Sequence, residues 1–333
     1  MTFGSDNIWR ADLKRYVRVT SSILVLLLTP IFSTTSFAWN SRGHMMVAAI
    51  AYSKLNQQTR TRVDALLRLN PDRDNWLALI PEGTNAADKK KMLFMIAATW
   101  PDRIKSDPDY VSDGTHGGNR PPDDPTVAKR NTGYDDLNRH KYWHFVDTAF
   151  STDNTPLPTL PTPNANTQIG VFRSVLASPT ATKKLKSYDL CWLLHLVGDV
   201  HQPLHATTRV SASDPDGDDG GNGVLLESPS NLHTFWDDVV GGGSSKAPGP
   251  ALTAIATLPT ADQSKVDDLN VDHWITDSFE AAKTTVYKNP PIGDGEGPFT
   301  LTATYKANAK TLAQQQVALA GARLAKILNE ELK

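Results

Sequence analysis

Apolar residues recur at helical spacing through much of the chain, whereas period-two alternation is rare and brief. Met46, Ala49 and Ile50, then Val63, Leu66 and Leu67, mark helices over about 43–56 and 59–69. Similar patterns predict helices over about 86–99, 167–177, 182–201, 233–239, 267–288 and 303–331. In the last, Leu312, Val317, Leu319, Leu324, Ile327 and Leu328 keep a period of about 3.6 on an alanine-rich background. Between these stretches lie runs of turn formers: 107–133 (Asp, Gly, Pro, Asn), 151–166 (Thr, Pro), 211–223 (Asp, Gly) and 240–250 (Gly, Ser, Pro). Connections this long inside a folded domain are usually functional or anchored by a ligand. There is no internal repeat. The expected class is mostly α, a single helical domain with long loops.

One apolar run has a different character. Ile23–Leu28 follows Arg10, Lys14, Arg15 and Arg18, and precedes the small-residue stretch Ser33 to Ala38. That order is the pattern of a secretory signal peptide over 1–38. A membrane anchor is the competing reading, but it needs about 20 apolar residues; this run is shorter and Pro30 interrupts it. Cleavage after Ala38 would make Trp39 the N-terminus of a secreted or periplasmic domain over 39–333, long enough for a large core. The chain has 34 Lys and Arg against 36 Asp and Glu. Four of those basic and two of those acidic residues lie in 1–38, so the remainder has a net charge of −4 with His neutral. This is not the basic footprint that grips long duplex DNA. A polyanionic substrate would have to find positive charge locally, for which bound metal ions are one source. Cys191 is the only cysteine, which excludes an intrachain disulfide even where export permits one. Its neighbours Leu190, Trp192, Leu193 and Leu194 suit a packed thiol.

The histidines carry the candidate chemistry. They occur in Trp39-Asn-Ser-Arg-Gly-His44, in Tyr142-Trp-His144-Phe-Val-Asp147, in the run from His195 through Asp199 and His201 to His205, and in His233-Thr-Phe-Trp-Asp237. His195/Asp199 and His233/Asp237 are each four apart, so on a helix each pair projects from one face. An imidazole and a carboxylate converging on one point suit a divalent cation such as zinc. One such pair alone is ordinarily a salt-bridged helix face, but two pairs with further histidines among tryptophans are not the usual surface pattern. Pro203 should end the helix that carries His195 and Asp199, letting the chain turn so that His205 reaches a second metal position. The Asp214, Asp216, Asp218 run superficially suggests a calcium loop. However, Asp219 stands where an EF-hand requires glycine, and no glutamate closes the loop.

Together with Thr99-Trp-Pro-Asp102-Arg-Ile-Lys105, these segments resemble the ligand motifs of the S1/P1 nucleases, relatives of the bacterial zinc phospholipases C. The match runs from Trp39 to Asp237 in the family's order, and Ala320–Asn329 in the C-terminal helix is also family-like. The resemblance implies a phospholipase C/P1 nuclease-like fold and three zinc ions per chain. Asp102, His144, His195 and Asp199 would hold the first, and His205, His233 and Asp237 the second. The third would use the α-amino nitrogen and carbonyl oxygen of Trp39, with His44 and the shared Asp199. The implied reaction is hydrolysis of single-stranded DNA and RNA by a metal-bridging hydroxide, giving 5′-phosphorylated products, with 3′-nucleotidase activity besides. Asp102, Asp199 and Lys105 would be catalytic, Lys105 adding positive charge against the transition state, with Arg103 the weaker candidate. Phe145 would stack on a base and Asp147 bond to it. Asn222, in Gly220-Gly-Asn222-Gly, would line the site, and His201 would orient a ligand carboxylate. Substrates would be nucleic acids and nucleotides, with no stable protein partner and no membrane anchor. A phospholipase C is the first alternative, although those enzymes prefer glutamate where this chain has Asp237; a non-catalytic metal-binding protein is the second. His116, His140 and His273 match no ligand position and read as surface or structural. Asp238 stands where several relatives carry asparagine, and the 107–141 segment has no evident counterpart.

Overall fold

The structure, a computed structural model, describes residues 39–242 and 246–333. Short polar side chains start its long helices by accepting the backbone N–H groups that a first turn leaves unpaired. Asn40 accepts from Arg42 and Gly43 at the head of α1 (Ser41–Lys54). Asn56 opens α2 (Gln57–Leu67), and Asn85 opens α4 (Ala86–Ala97) after the short α3 (Arg73–Leu77). After α5 (Trp100–Ile104) and α6 (Pro125–Ala128), a reciprocal Asn164–Thr167 cap begins α7 (Ala165–Ala177). Thr182 caps α8 (Lys183–Asp199), and Asn231 caps α9 (Leu232–Asp238). The chain closes with α10 (Gly249–Ile255), α11 (Gln263–Asp267), α12 (Val271–Ala281) and α13 (Ala303–Glu331), the last opened by Thr302.

Helix α8 forms the centre. Every residue from Ser187 to Asp199 is buried, as expected of a helix enclosed on all sides, and α1, α2, α5, α7 and α13 pack around it. Two glycines set how closely those helices approach. A Cβ on Gly321 of α13 would lie 2.6 Å from the Ile50 Cβ of α1, and one on Gly198 of α8 would lie 2.8 Å from His44 Nδ1. The second contact seats His44, on α1, directly beside the end of α8. All seven tryptophans among the described residues are fully buried, and Trp143 and Trp192 pack against each other and against Phe172. Cys191 is buried as expected, and burial pushes its thiol up to about 12.

Among the described residues, strand structure is limited to a parallel pair, β1 (Ala149–Ser151) and β2 (Thr208–Val210), with Ala149 opposite Thr208. The pairing continues a contact in which Val146 N–H donates to the His205 carbonyl at 2.7 Å. The chain after His144 is thereby aligned with the chain after His205.

The mostly-α, one-domain expectation holds, and the described residues fall in one unit, Thr35–Lys333. The boundaries differ for local reasons. The helix expected over 182–201 stops at Asp199, and a 3-10 turn over Pro203–Ala206 follows. The helix expected over 267–288 begins at Val271, after Asn270 caps it, and widens into a π-helical turn at Ala282–Val286. Helices α3, α5, α6, α10 and α11 are too short to display a period. The 107–141 segment folds around His140, whose ring stacks on Trp143 at 3.6 Å and contacts Asp113 at 2.6 Å and Asp136 at 3.1 Å. His140 is therefore structural, while His116 and His273 are exposed. The signal-peptide expectation lies outside the described residues.

Candidate metal centre

Four elements deliver side chains to one buried point. His195 and Asp199 leave α8 on the same face, with His195 Nε2 3.3 Å from Asp199 Oδ2. Helix α5 contributes Asp102, whose Oδ1 lies 3.4 Å from His195 Nε2. His144 ends a 3-10 turn and places Nδ1 3.1 Å from Asp199 Oδ2 and 3.0 Å from His195 Nε2. From α1, His44 Nε2 lies 3.2 Å from Asp199 Oδ1, and its ring stacks on that of His195 at 3.8 Å. Asp199 thus faces His44 with one oxygen, and His144 and His195 with the other. These residues form two candidate ligand groups sharing His195: His44, His195 and Asp199, and Asp102, His144 and His195.

A third group, His205, His233 and Asp237, forms where the Pro203–Ala206 turn meets α9. His205 Nε2 and His233 Nε2 are 3.1 Å apart, and Asp237 Oδ2 is 3.5 Å from His233 Nε2. Their other ring nitrogens face backbone carbonyls, His205 Nδ1 to His144 O at 2.8 Å and His233 Nδ1 to Gly220 O at 2.7 Å. A ring nitrogen against a carbonyl must carry the proton, so in each neutral ring Nε2 presents a lone pair. His195 is fixed likewise, its Nδ1 donating to Ala98 O at 2.7 Å.

The donors fit divalent cations on chemical grounds. Two imidazole lone pairs facing each other at about 3 Å need something positive between them. His44 Nδ1 and Nε2, Asp199 Oδ1 and Asp102 Oδ2 are buried without a hydrogen-bond partner, an expensive condition unless a cation takes them up. Burial holds His144 and His205 down to about 3, and His44 well below the usual histidine value, so these rings are neutral and ready to bind. Burial opposes the charge of Asp102, but Lys105 and His195 outweigh it and keep the carboxyl well below its ordinary range. For His195, burial is outweighed by Asp199 and Asp102, which raise it.

A layer behind these residues fixes them. Gln202 Nε2 donates to Asp237 Oδ1 at 2.8 Å, while its Oε1 accepts from Leu204 N–H at 2.7 Å. Asp218 accepts from the N–H groups of Arg209 and Gly221 and from Tyr287 OH, shaping the loop that presents the Gly220 carbonyl. Gly220 has φ +62°, and a Cβ there would lie 2.6 Å from Leu204 O. The sequence gives no expectation for Gln202, although it lies between two expected ligands, and it presents Asp218 only within the calcium-loop-like aspartate run.

The chain matches the S1/P1 Nuclease family profile from residue 39 to residue 333. The chain belongs to the S1/P1 nuclease family. It is 24% identical to Endonuclease 3 of Arabidopsis thaliana over 90% of this chain and 92% of that protein. Endonuclease 5 of the same plant is 24% identical over 92% and 94%. Nuclease S1 of Aspergillus oryzae (strain ATCC 42149 / RIB 40) is 24% identical over 87% and 90%.

Within this S1/P1 nuclease, the remaining expected residues fall as follows. Trp39 is fully buried between α1 and the end of α8: a Cβ on Gly43 would lie 2.6 Å from its Cβ, and one on Gly198 3.9 Å from its Cδ1. Asn40 locks it there. Asn40 N–H donates to Asp237 O at 3.2 Å, and Nδ2 donates to Asp238 Oδ1 at 2.6 Å and Gly241 O at 2.9 Å. Asp238 is therefore engaged with Asn40. Lys105 is not a solvated helix-end cation; its Nζ is 2.8 Å from Asp102 Oδ1, with the two side chains only 4% and 5% exposed. Phe145 and Asp147 line a narrow cleft. Burial there, with Asp219 and Asp218 nearby, pushes the Asp147 carboxyl up to about 7. Asn222 Nδ2 donates to Asp219 O at 2.8 Å, within its own loop.

One expectation is corrected. His201 touches no ligand carboxylate: its Nδ1 donates to Val197 O at 2.7 Å, and its Nε2 accepts from Arg323 of α13 at 2.9 Å. It sits on the back of α8, because residues 199 and 201 of a chain just leaving a helix point in different directions. Gln202 holds the carboxylate instead.

Proposed function

We propose that this S1/P1 nuclease is a zinc-dependent endonuclease of single-stranded DNA and RNA that leaves 5′-phosphorylated products and also acts as a 3′-nucleotidase. The observation that carries the reading is the set of three contiguous, buried His/Asp groups, two of them joined through His195. The nuclease names of relatives aligned over most of their length support it. Asp102, His144, His195 and Asp199 would hold one ion, and His205, His233 and Asp237 another. Trp39, through its α-amine and carbonyl, would hold a third with His44 and Asp199. Bound zinc supplies positive charge for the phosphoryl oxygens and acidifies water enough to attack near neutral pH.

The chain's own residues supply the rest. Asp199 offers its two oxygens to different imidazoles, the geometry of a shared ligand. Lys105 adds a desolvated cation where charge develops on phosphorus, and Asp102 keeps it aimed. Phe145 offers a face for an unpaired base, with Asp147 and Asn222 as its polar contacts; a paired base would first have to leave its stack, which favours single strands. The Trp39 amine becomes a ligand only after cleavage behind Ala38, which links export to metal loading in a secreted or periplasmic protein. Among the described residues no helix is long and apolar enough to cross a membrane.

The test is turnover of one sequence as single-stranded DNA, as RNA and as duplex, beside a short-chain phosphatidylcholine, with zinc content measured on the same sample. Cleavage of both single strands, slower cleavage of duplex, 5′-phosphate ends and release of phosphate from 3′-nucleotides are expected. Hydrolysis of the lipid alone would replace the reading with a phospholipase C, and bound zinc without turnover would leave a metal-binding protein.

A further inference from the structure

The 107–141 segment is fastened at His140, where both edges of the imidazole meet a carboxylate. Nδ1 lies 2.6 Å from Asp113 Oδ2, and Nε2 lies 3.1 Å from Asp136 Oδ2. A neutral imidazole carries one N–H, so only the doubly protonated ring donates to both. Burial disfavours that charge, but the hydrogen bonds and charges of Asp113 and Asp136 outweigh it and raise the ring above the ordinary histidine value. The backbone is committed as well. His140 has φ +43°, in the left-handed region that non-glycine residues seldom adopt, and its N–H donates to Asp113 Oδ1 at 2.9 Å. Trp143 lies flat on the ring at 3.6 Å, at the end of the 3-10 turn (Lys141–Trp143) that leads to His144.

The ionisable groups around the ring are few. Tyr142 OH lies 3.0 Å from Nδ1 and donates to Asp113 Oδ2 at 2.6 Å. Burial raises the hydroxyls of Tyr142, and of Tyr110 and Tyr188 near Asp136, so these phenols stay neutral through the ordinary tyrosine range. The flanking cations turn elsewhere, Lys141 Nζ to Gly117 O at 3.1 Å and Arg139 to Asp107 O at 3.0 Å. From α8, Trp192 meets the ring edge-on. The same helix carries Asp189, whose carboxyl burial pushes up to about 8 and which accepts from Asn131 Nδ2 at 3.0 Å. Two buried protons therefore hold this segment, one on His140 and one on Asp189. Among the described residues, none of the hydrogen bonds or ring contacts of the His140 side chain reaches an expected zinc ligand.

We infer that His140 is a pH-sensitive latch, clamping Asp113 and Asp136 together when doubly protonated and releasing the Asp113 side of the 107–141 segment when it loses a proton. The side that opens follows from the donors that remain. Asp113 also accepts from Tyr142 OH and from the His140 N–H, whereas Asp136 otherwise accepts only from Asn138 N–H at 3.2 Å. The last ring proton therefore stays on Nε2 against Asp136, and the bare Nδ1 lone pair faces Asp113, which repels it. Because the folded ring is raised, its contribution is complete below about pH 6.5, the ordinary histidine value, and is lost as pH rises through the raised one. The latch thus closes in acid and neutral solution and opens in alkali, independently of the metal chemistry.

The experiment follows amide hydrogen exchange, corrected for its intrinsic pH dependence, from about pH 6 to about pH 10. It uses the chain beginning at Trp39, supplied with zinc, in an Asp189→Asn background that removes the second buried proton. Peptides covering 112–121 should lose protection by up to about tenfold per pH unit once the ring titrates, while peptides from α13 keep theirs. Asp113→Asn takes away one of the two charges that hold the proton, so the loss should begin at lower pH. His140→Gln should leave 112–121 weakly protected at every pH, with no slope. Constant protection of 112–121 in the parent chain overturns the proposal. So does an equal loss in α13, which is global unfolding, or an onset that Asp113→Asn does not move. If His140→Gln fails to fold, the shift in Asp113→Asn decides alone.

Discussion

Gln202 lies behind the metal centre and touches no expected substrate position, so Gln202→Leu tests whether this layer controls the ligands. The residue is fully buried, its Nε2 2.8 Å from Asp237 Oδ1 and its Oε1 2.7 Å from Leu204 N. Leucine keeps most of the volume and removes both bonds. A hydrogen bond to a charged group contributes about 1.5–3 kcal/mol, roughly a ten- to 150-fold change in an equilibrium constant. Burial already lifts Asp237 well above the ordinary carboxylate range, and Gln202 pulls it back down. Without that pull the carboxyl keeps its proton more firmly, and an entering cation must displace it. The position formed by His205, His233 and Asp237 should therefore bind zinc about ten- to 150-fold more weakly, while the groups around Asp199 are unaffected. Titration against a series of zinc chelators measures this. Loss of the Leu204 contact could lower stability by about 1–3 kcal/mol on its own. Gln202→Glu separates the two effects, since it restores the acceptor for Leu204 N–H but sets a second carboxyl against Asp237. Wild-type zinc affinity at this position in Gln202→Leu would refute the reasoning.

Asp199→Asn keeps the shape of the shared ligand and removes its charge. At about 4 Å and an effective dielectric of about 20, a unit charge is worth about 4 kcal/mol, so metal analysis should find zinc lost from both neighbouring positions and activity down about a thousandfold or more. Full loading with activity within about tenfold of wild type would contradict the shared role. A chain retaining one residue before Trp39 should fold, yet bind one zinc fewer than the chain beginning at Trp39, because an amide nitrogen is a poor ligand; equal stoichiometry in the two would remove Trp39 from the ligand set. Asp189, buried against Asn131, is pushed up to about 8 by burial. Its native form thus holds a proton that the unfolded chain releases near pH 4, and the stability due to this group falls as pH rises from about 4 to about 8. Asp189→Asn should flatten that slope and raise stability at pH 7 by at most about 4 kcal/mol, measured by denaturant titration across the range; an unchanged slope would count against it.

The chemistry was more legible than the architecture around it. His195/Asp199 and His233/Asp237 follow helical spacing, a purely local property, and Pro203 signals the turn that carries His205. The meeting of these segments is not local. Gly198 and Gly321 allow α1 to come close enough for His44 to reach Asp199, and nothing in their sequence neighbourhood reports that approach. Asp102 rides on the five-residue α5, which is too short for a period and is held in place through Trp100 Nε1 bonded to Asp72 Oδ2 at 2.9 Å. His201 lies close to the ligands along the chain but not in space, because the helix ends at Asp199 and turns that ring toward Arg323. Gln202 carries no signal of its own, and Asp218 signals only a calcium-loop-like run, since a buried amide or carboxylate resembles any polar loop residue until its partners are known.

The central claim is that the three buried His/Asp groups are zinc sites of a phosphodiesterase. Anomalous scattering measured on either side of the zinc edge, from crystals of the chain beginning at Trp39, tests it most directly. Three peaks are predicted: one among Asp102, His144, His195 and Asp199, one among His205, His233 and Asp237, and one against the Trp39 amine, His44 and Asp199. Peaks confined to the protein surface, or side chains of these groups packed against one another with no zinc signal between them in zinc-saturated crystals, would contradict the account.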